Sequence, residues 1–268
     1  MSQPTFLLLA LSWTLWLAGA CQIHAQPASS VKTVSDTVAL NPSSTVEIDN
    51  HRGSITVRSW DRAEVGYRVR IASSTKDDDL PFTALEVSRS DDKLELEPDH
   101  PWRFRIPGVI VISPGGTERA AFHFTVAVPT SANLRLDSYA STINLDGPAG
   151  NVKIDTHSGS VEATALSGGL TLDKHAGEAD LSFERLTAPI SIESFSGPIR
   201  ITVPRTAGFN LETDLRSIDQ LTTSNGLSLP SPTANNVEGA VNGGGPSLWV
   251  DAHSGTIELR THRSASAN

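Results

Sequence analysis

The sequence predicts an all-β fold: a single-domain β-solenoid, of the β-helix or β-roll kind, built from strand-turn-strand repeats of about 18 to 20 residues. Three observations predict it. Val, Ile, Leu and Thr alternate with polar residues between Gly, Pro, Ser and Asn breakers, and no segment after residue 36 carries the roughly 3.6-residue apolar period of an amphipathic helix. The stretch VKIDTHSGSVEA, residues 152 to 163, nearly returns as LWVDAHSGTIEL, residues 248 to 259. Related copies begin at 134, 152, 170 and 190, at intervals of 18, 18 and 20 residues.

The chain opens on a segment of another kind. Residues 6 to 20, FLLLALSWTLWLAGA, form an uncharged apolar run with the length of a secretory core, so residues 1–20 are read as a signal peptide and the protein as exported. The run ends in LAGAC, which sets Cys21, the sole cysteine, where a bacterial lipoprotein signal places its acylated residue. Ala18 in place of the usual Leu, and MSQPT without Lys or Arg, depart from that pattern. Plain cleavage after AGA or after Ala25 is the rival. Residues 21–36 read as a polar linker, and an acyl chain on Cys21 is the one membrane attachment expected, a weak one. With Cys21 removed or capped, no disulfide and no thiol chemistry is expected.

The repeats occupy 37–262, followed by a tail, 263–268. Six copies align: VEIDNHRGSITV from 46, LRLDSYASTINL from 134, VKIDTHSGSVEA from 152, LTLDKHAGEADL from 170, ISIESFSGPIRI from 190 and LWVDAHSGTIEL from 248. In a strand, residues i and i+2 share a face. The first such column reads Val46, Leu134, Val152, Leu170, Ile190, Leu248, and the next Ile48, Leu136, Ile154, Leu172, Ile192, Val250. After the turn come Ile55, Ile143, Val161, Ala179, Ile199, Ile257, then Val57, Leu145, Ala163, Leu181, Ile201, Leu259. Every position is apolar in a chain that is 38% hydrophobic, so each copy is two strands with one buried face. A unit this small cannot bury that face alone; stacking the copies about 4.8 Å apart does. A meander of antiparallel hairpins is the alternative, because a Ser-Gly turn serves either. NLETDLRSI, from 210, reads as a degraded copy, PSPTANNVEGAVNGGGP, from 230, as a loop, and PWRFRIPGVIVISP, from 101, as a proline-bounded edge segment. Trp60 is expected to cap the first coil and Trp249 to face outward; Trp102 is isolated.

The outward columns carry the chemistry. One is acidic in every copy: Asp49, Asp137, Asp155, Asp173, Glu193, Asp251. Two places on, every copy has an imidazole or an aromatic ring: His51, Tyr139, His157, His175, Phe195, His253. Stacked acids about 5 Å apart repel. Arg135, Lys153 and Lys174 with open water, and rings packed edge to face, are one way to offset this. A ligand is the other. The candidate ligand-binding residues are Tyr139, His157, His175 and Phe195 with Asp137, Asp155, Asp173 and Glu193, and the candidate ligand is a glycan lying along the rings. A divalent cation between Asp and His of adjacent coils is less well suited to a flat, open face, and no metal or cofactor is expected.

Other chemistry is excluded by geometry or composition. Asp155, His157 and Ser158 have the residue types of a hydrolytic triad, yet three near-consecutive strand residues cannot converge within about 3 Å, and no G-x-S-x-G elbow occurs. KDDDL, residues 76 to 80, lacks the oxygen spacing of a calcium loop, and GGG, residues 243 to 245, lacks the Lys and the strand-to-helix context of a phosphate loop. A net charge of −9, from 30 acids and 21 bases, leaves no basic footprint for nucleic acid.

STVEIDNHRGSITVRSWDRAEV, VAVPTSANLRLDSYAST and VNGGGPSLWVDAHSGTIEL resemble the bacterial putative-adhesin repeat family over residues 40 to 260. The resemblance implies an envelope-exposed β-repeat protein located in the periplasm, at the outer membrane or on the cell surface, and supplies no catalytic residues. The reading is a non-enzymatic envelope protein making adhesive or ligand contact, with a glycan or another envelope component as partner. A polysaccharide-active β-helix enzyme and a purely structural scaffold are the rivals. Uniform acids argue against the enzyme, since catalysis places two carboxylates in unlike environments.

Overall fold

The computed structural model describes residues 31–72, 84–99, 105–106, 109–110, 120–224 and 227–262. The signal peptide, Cys21, residues 76–80, Trp102 and the tail lie outside the described residues, as does most of 101–114. In chain order the first strands are β1 (Val31–Ala39), β2 (Thr45–Trp60), β3 (Glu64–Ala72), β4 (Ala84–Arg89), β5 (Lys93–Asp99), β6 (Arg105–Ile106) and β7 (Val109–Ile110). Then follow β8 (Ala121–Pro129), β9 (Asn133–Asp146), β10 (Val152–Ser158), β11 (Val161–Leu166), β12 (Leu170–Lys174), β13 (Ala179–Phe183), β14 (Ile190–Ser194) and β15 (Ile199–Pro204). The last are β16 (Phe209–Leu215), β17 (Leu221–Thr223), β18 (Glu238–Val241), β19 (Ser247–Ala252) and β20 (Ile257–His262). The protein is all-β, with a single 3-10 turn, Ile218–Gln220, among the described residues.

The copies pair in parallel and in register, so they are not a meander of hairpins. One ladder runs β5, β2, β9, β10, β12, β14, β19, β16, and its registers join Ile48 to Leu136, Leu136 to Ile154, Ile154 to Leu172, Leu172 to Ile192 and Ile192 to Val250. The other uses the second halves of the same coils: β8, β2, β9, β11, β13, β15, β20, β17. Strands β2 and β9 run through the bend between the ladders, while the later coils break there. Inward rows of both ladders form one core, and none of the apolar column residues is more than 3% exposed.

Glycine at the bend follows from this stacking. Gly177 has φ of 102°, and a Cβ there would run into the carbonyl oxygen of Gly159 in the coil below. Gly159 stands in the same relation to Ser141, and Gly197 to Gly177. The backbones meet directly, so the neighbour cannot yield.

Both ends depart from simple stacking. Strands β3, β4 and β1 pair antiparallel, β3 with β8, β4 with β5 and β1 with β3, so sheet begins inside the segment read as linker and these three strands flank the first coil without being coils themselves. At the far end the degraded copy NLETDLRSI is β16, a further rung, closed by antiparallel β18. The last coil in sequence, β19 and β20, is inserted between β14–β15 and β16–β17. Trp60 donates from Nε1 to the Glu64 carbonyl at 2.8 Å and packs over Gly66, closing the first coil.

Three substitutions separate stacking from simple burial. Ile154→Asp places a carboxylate in the core and costs about 4 kcal/mol. Gly177→Ala costs about 2 kcal/mol or more, combining strain with backbone collision. Gly243→Ala, at φ of 88° but with nothing within 4 Å, carries only the conformational part, about 1 kcal/mol. Urea denaturation checks the order; equal losses at Gly177 and Gly243 would remove the stacking argument.

Candidate functional site

The Ser-Gly turn that suggested catalysis has a mechanical role. Ser158 Oγ donates to the Tyr139 carbonyl at 3.0 Å, Ser196 Oγ to the His175 carbonyl at 3.1 Å and Ser254 Oγ to the Phe195 carbonyl at 2.9 Å. Each serine thereby ties its turn to the ring-bearing residue of the coil before it. Side chains of the inward column beside the turn point the other way. Asn50 donates to the Phe122 carbonyl, Thr156 to the Ser158 carbonyl, and Lys174 Nζ to the carbonyls of Gly177 at 2.9 Å and Ser196 at 2.6 Å. They supply donors for turn carbonyls that face the interior.

Lys174 is therefore not among the cations offsetting the acid column. It is 1% exposed on the inner face, because it sits one residue past Asp173 and a strand alternates. Burial pushes its ammonium down to about 8.

The ring column forms one continuous stack. Centroids lie 4.8 Å apart from His51 to Tyr139, 4.8 Å from Tyr139 to His157, 4.7 Å from His157 to His175, 4.6 Å from His175 to Phe195 and 4.7 Å from Phe195 to His253. Interplanar angles run from 4° to 13°, so the rings are parallel and not edge to face. In-register parallel strands explain this: equivalent backbone at each rung relates neighbouring rings largely by translation. Arg216 of the degraded copy ends the stack, with Nη2 2.8 Å from Nδ1 and 3.2 Å from Nε2 of His253. Tyr139 and Phe195 are 53% and 48% exposed. What they expose is edges, since each face is covered by the next ring.

The acid column stands beside it. Registers join Asp49 to Asp137, Asp137 to Asp155, Asp155 to Asp173, Asp173 to Glu193, Glu193 to Asp251 and Asp251 to Asp214. The structure thus brings all eight predicted ligand-binding residues onto one face. Sequence reading missed Asp214 and Arg216, whose rung precedes in sequence the coil it follows in space. In the column before the acids, Glu47 accepts from Lys93 at 2.7 Å and from Arg135 at 3.4 Å. Desolvation, then Asp137 and Glu97, push Asp49 up to about 6, and desolvation with Asp155 raises Asp137. Among the described residues, Asp49, Glu95 and Glu97 can bring ligand oxygens within 4.8 Å of one another, with Lys93 already 3.1 Å from Glu95. A shallow groove of about 420 Å³ lies at the start of the strands, lined by Asn133, Arg135, Asn151 and Lys153. Trp249 lies in the column before the acids, opposite Ser191.

The family model of the Toastrack DUF4097 family matches residues 30–260. The chain belongs to that family. This agrees with the resemblance to the putative-adhesin repeat proteins, and the match covers the two-ladder stack with both of its ends. No curated protein matches the sequence. Similar solved structures include a putative cell adhesion protein from Clostridium sporogenes, 12% identical, covering 86% of this chain and 100% of that one at a TM-score of 0.45. A putative adhesin from Bacteroides fragilis is 12% identical, over 86% and 97%, at 0.25. A putative lipid binding protein from Parabacteroides distasonis is 9% identical, over 87% and 95%, at 0.26. None is similar enough for its name to carry over. Among the described residues no helix is long and apolar enough to cross a membrane.

A half-buried acid and a buried base give opposite pH signatures. Burial and the neighbouring carboxylates raise Asp49 to about 6 from an ordinary 3.8, so its ionisation opposes folding and stability rises as pH falls from 6 toward 4. Asp49→Asn will raise the urea midpoint at pH 8 and lose that advantage near pH 4. Lys174 has a folded pKa of about 8, below 10.5, so stability rises with pH between those values. Lys174→Met will flatten that rise. A rise that persists in the methionine variant would show that another group causes it.

Proposed function

We propose that this chain is an exported, non-enzymatic protein of the cell envelope, a β-solenoid whose outer face makes adhesin-like contact with an extended glycan. One observation carries the reading: six rings stack 4.6 to 4.8 Å apart with a carboxylate in register beside each, over an open sheet face. A β-linked glycan repeats at about the same interval, and the two columns offer it complementary partners: carboxylates accept from hydroxyls, and imidazole nitrogens or the Tyr139 hydroxyl reach in the ring plane.

The geometry changes the mode of contact expected from the sequence. A sugar cannot lie on the ring faces, because those faces cover one another. Contact is edge-on, through hydrogen bonds from His157, His175 and Tyr139, with Phe195 as an apolar rim. Such contacts are individually weak, about 1 kcal/mol each, and add along the strip.

The test is titration of the folded protein with neutral β-linked oligosaccharides, followed by nuclear magnetic resonance. Binding in the millimolar range is expected, with His157→Ala plus His175→Ala weakening it about tenfold or more, and Phe195→Leu having little effect. A flat titration overturns the ligand reading and leaves the ladder as a staple of a scaffold. Cleavage of the oligosaccharide, lost in Asp49→Asn, would replace it with the enzyme reading.

A further inference from the structure

Positive charge in this chain is not spread as its net charge of −9 suggests. On the outer face of the ladder formed by the second halves of the coils, the arginines fall into two groups. Toward the far end they are paired, Arg200 with Glu178 and Asp180 and Arg260 with Glu258. At the near end Arg68 and Arg70 of β3 and Arg58 of β2 are exposed and make no ion pair among the described residues.

Strand register gathers these groups on one face. Across β3, β8 and β2 one row reads Arg70, His123, Ser54 and the next Arg68, Thr125, Thr56. Strand β1 extends the rows with Thr33 and Ser35, and β9 with Thr142 and Asn144. Alternation turns all of them outward, because Val69, Phe124 and Ile55 between the rows are buried. The third row holds Gly66, Ala127 and Arg58, and Trp60 lies over Gly66 and walls the patch on that side. Asp146 stands opposite Arg58, and Asp36 sits on the other row of β1. From β1 to β9 the rows of Arg68 and Arg70 contain no acid. Burial and then the Arg70 charge hold the His123 imidazole below its ordinary value, and its Nδ1 lies 3.0 Å from Ser54 Oγ.

A guanidinium without a carboxylate keeps its donors for water or a ligand. Two such forks, two residues apart on one strand, stand about 6.8 Å apart at the backbone, with hydroxyls and an amide around them. This arrangement fits an anion carried on a hydroxyl-rich chain: the forks take carboxylate or sulfate oxygens, and Thr125, Thr56 and Asn144 take hydroxyls. A lipid surface fits less well, since of the exposed large apolar side chains among the described residues only Val31 borders the patch.

We propose that the outer face of β3, β8 and β2 binds an acidic polysaccharide, Arg68 and Arg70 gripping the carboxylate or sulfate groups of neighbouring sugars. The site lies across the bend from the ring column and is independent of the neutral-glycan reading. The acid column turns a polyanion away from the first ladder. Screening over about 8 Å at physiological salt lets the unpaired arginines outweigh the net charge locally.

The test is titration of the intact chain with an oligogalacturonate and with a sulfated dextran oligosaccharide, followed by nuclear magnetic resonance. Binding of at least one at about 0.1 to 1 mM is expected, weakening with salt, and the preferred probe names the anionic group. The shifts centre on 54–58, 66–70 and 123–127. Arg68→Gln with Arg70→Gln weakens binding about tenfold or more, at an unchanged urea midpoint. Arg68→Lys with Arg70→Lys keeps the charge but loses the fork, and weakens it about threefold. His157→Ala with His175→Ala leaves it unchanged. Failure of both probes to bind overturns the proposal, as does binding that survives the glutamine pair or is lost in the histidine-to-alanine pair. Retention on anionic phospholipid vesicles through Arg68 and Arg70, with neither oligosaccharide bound, replaces the polysaccharide by a lipid surface.

Discussion

Both ladders of this molecule depend on parallel, in-register contact between successive coils. When one coil lies on the next by translation, each residue's nearest neighbour outside its own coil is its counterpart, and every column must tolerate itself. Apolar columns do so readily. The bend column does so only where backbone can touch backbone, which is why a Cβ at Gly177 would strike Gly159 and one at Gly197 would strike Gly177. Ring columns do so by stacking. The Ser-Gly turn belongs to the same logic, its hydroxyl reaching back to the carbonyl of the coil before.

Magnitudes show which effects decide the fold. Each buried aliphatic side chain of the core columns contributes about 2 kcal/mol. Adjacent carboxylates at the strand spacing repel by about 1 kcal/mol in water, less in salt. A stacked ring pair contributes about 1 kcal/mol. The acid column is therefore far too weak to oppose the core, and the ring column beside it offsets it nearly rung for rung. That equivalence explains how the outer face can keep an acid at every rung while Lys174 is turned inward, away from it. It also separates the ends of the ladder: among the described residues Asp49, next to Glu47, Glu95 and Glu97, is the one carboxylate raised to about 6.

Legibility of the sequence followed the period of two. Residues whose role is set by which face they occupy, from Val46 to Leu259, could be read directly, and so could the acid and ring columns. The sense of Lys174 was misread because charge was weighed before parity. Parallel rather than edge-to-face rings could not be read from composition; that needs the knowledge that neighbouring rungs are related by translation. Antiparallel β1, β3 and β4 were missed because alternation alone does not say which neighbour a strand takes. The rung carrying Asp214 and Arg216 was hidden for a different reason. Its inward row is broken by Thr213, which stands in register with Val250 between Leu211 and Leu215, and its place in space is not its place in sequence.

That displacement has a consequence for how the stack is closed. A solenoid coil exposes two unpaired edges wherever stacking stops, and an exposed edge invites unplanned pairing. Here the chain passes beyond its last coil, lays down β16 and β17, turns through β18 and the Asn242–Gly243–Gly244 bend, and only then fills the gap with β19 and β20. The C-terminal coil is paired on both sides by strands made before it. Its apolar residues Leu248, Val250, Ile257 and Leu259 complete a core that cannot close without them. Cohesion therefore cannot accumulate coil by coil from one end, as nearest-neighbour stacking alone would allow. It depends on the last segment of the chain arriving in a slot bounded by segments on either side, and this makes the two halves of the far end a single cooperative unit.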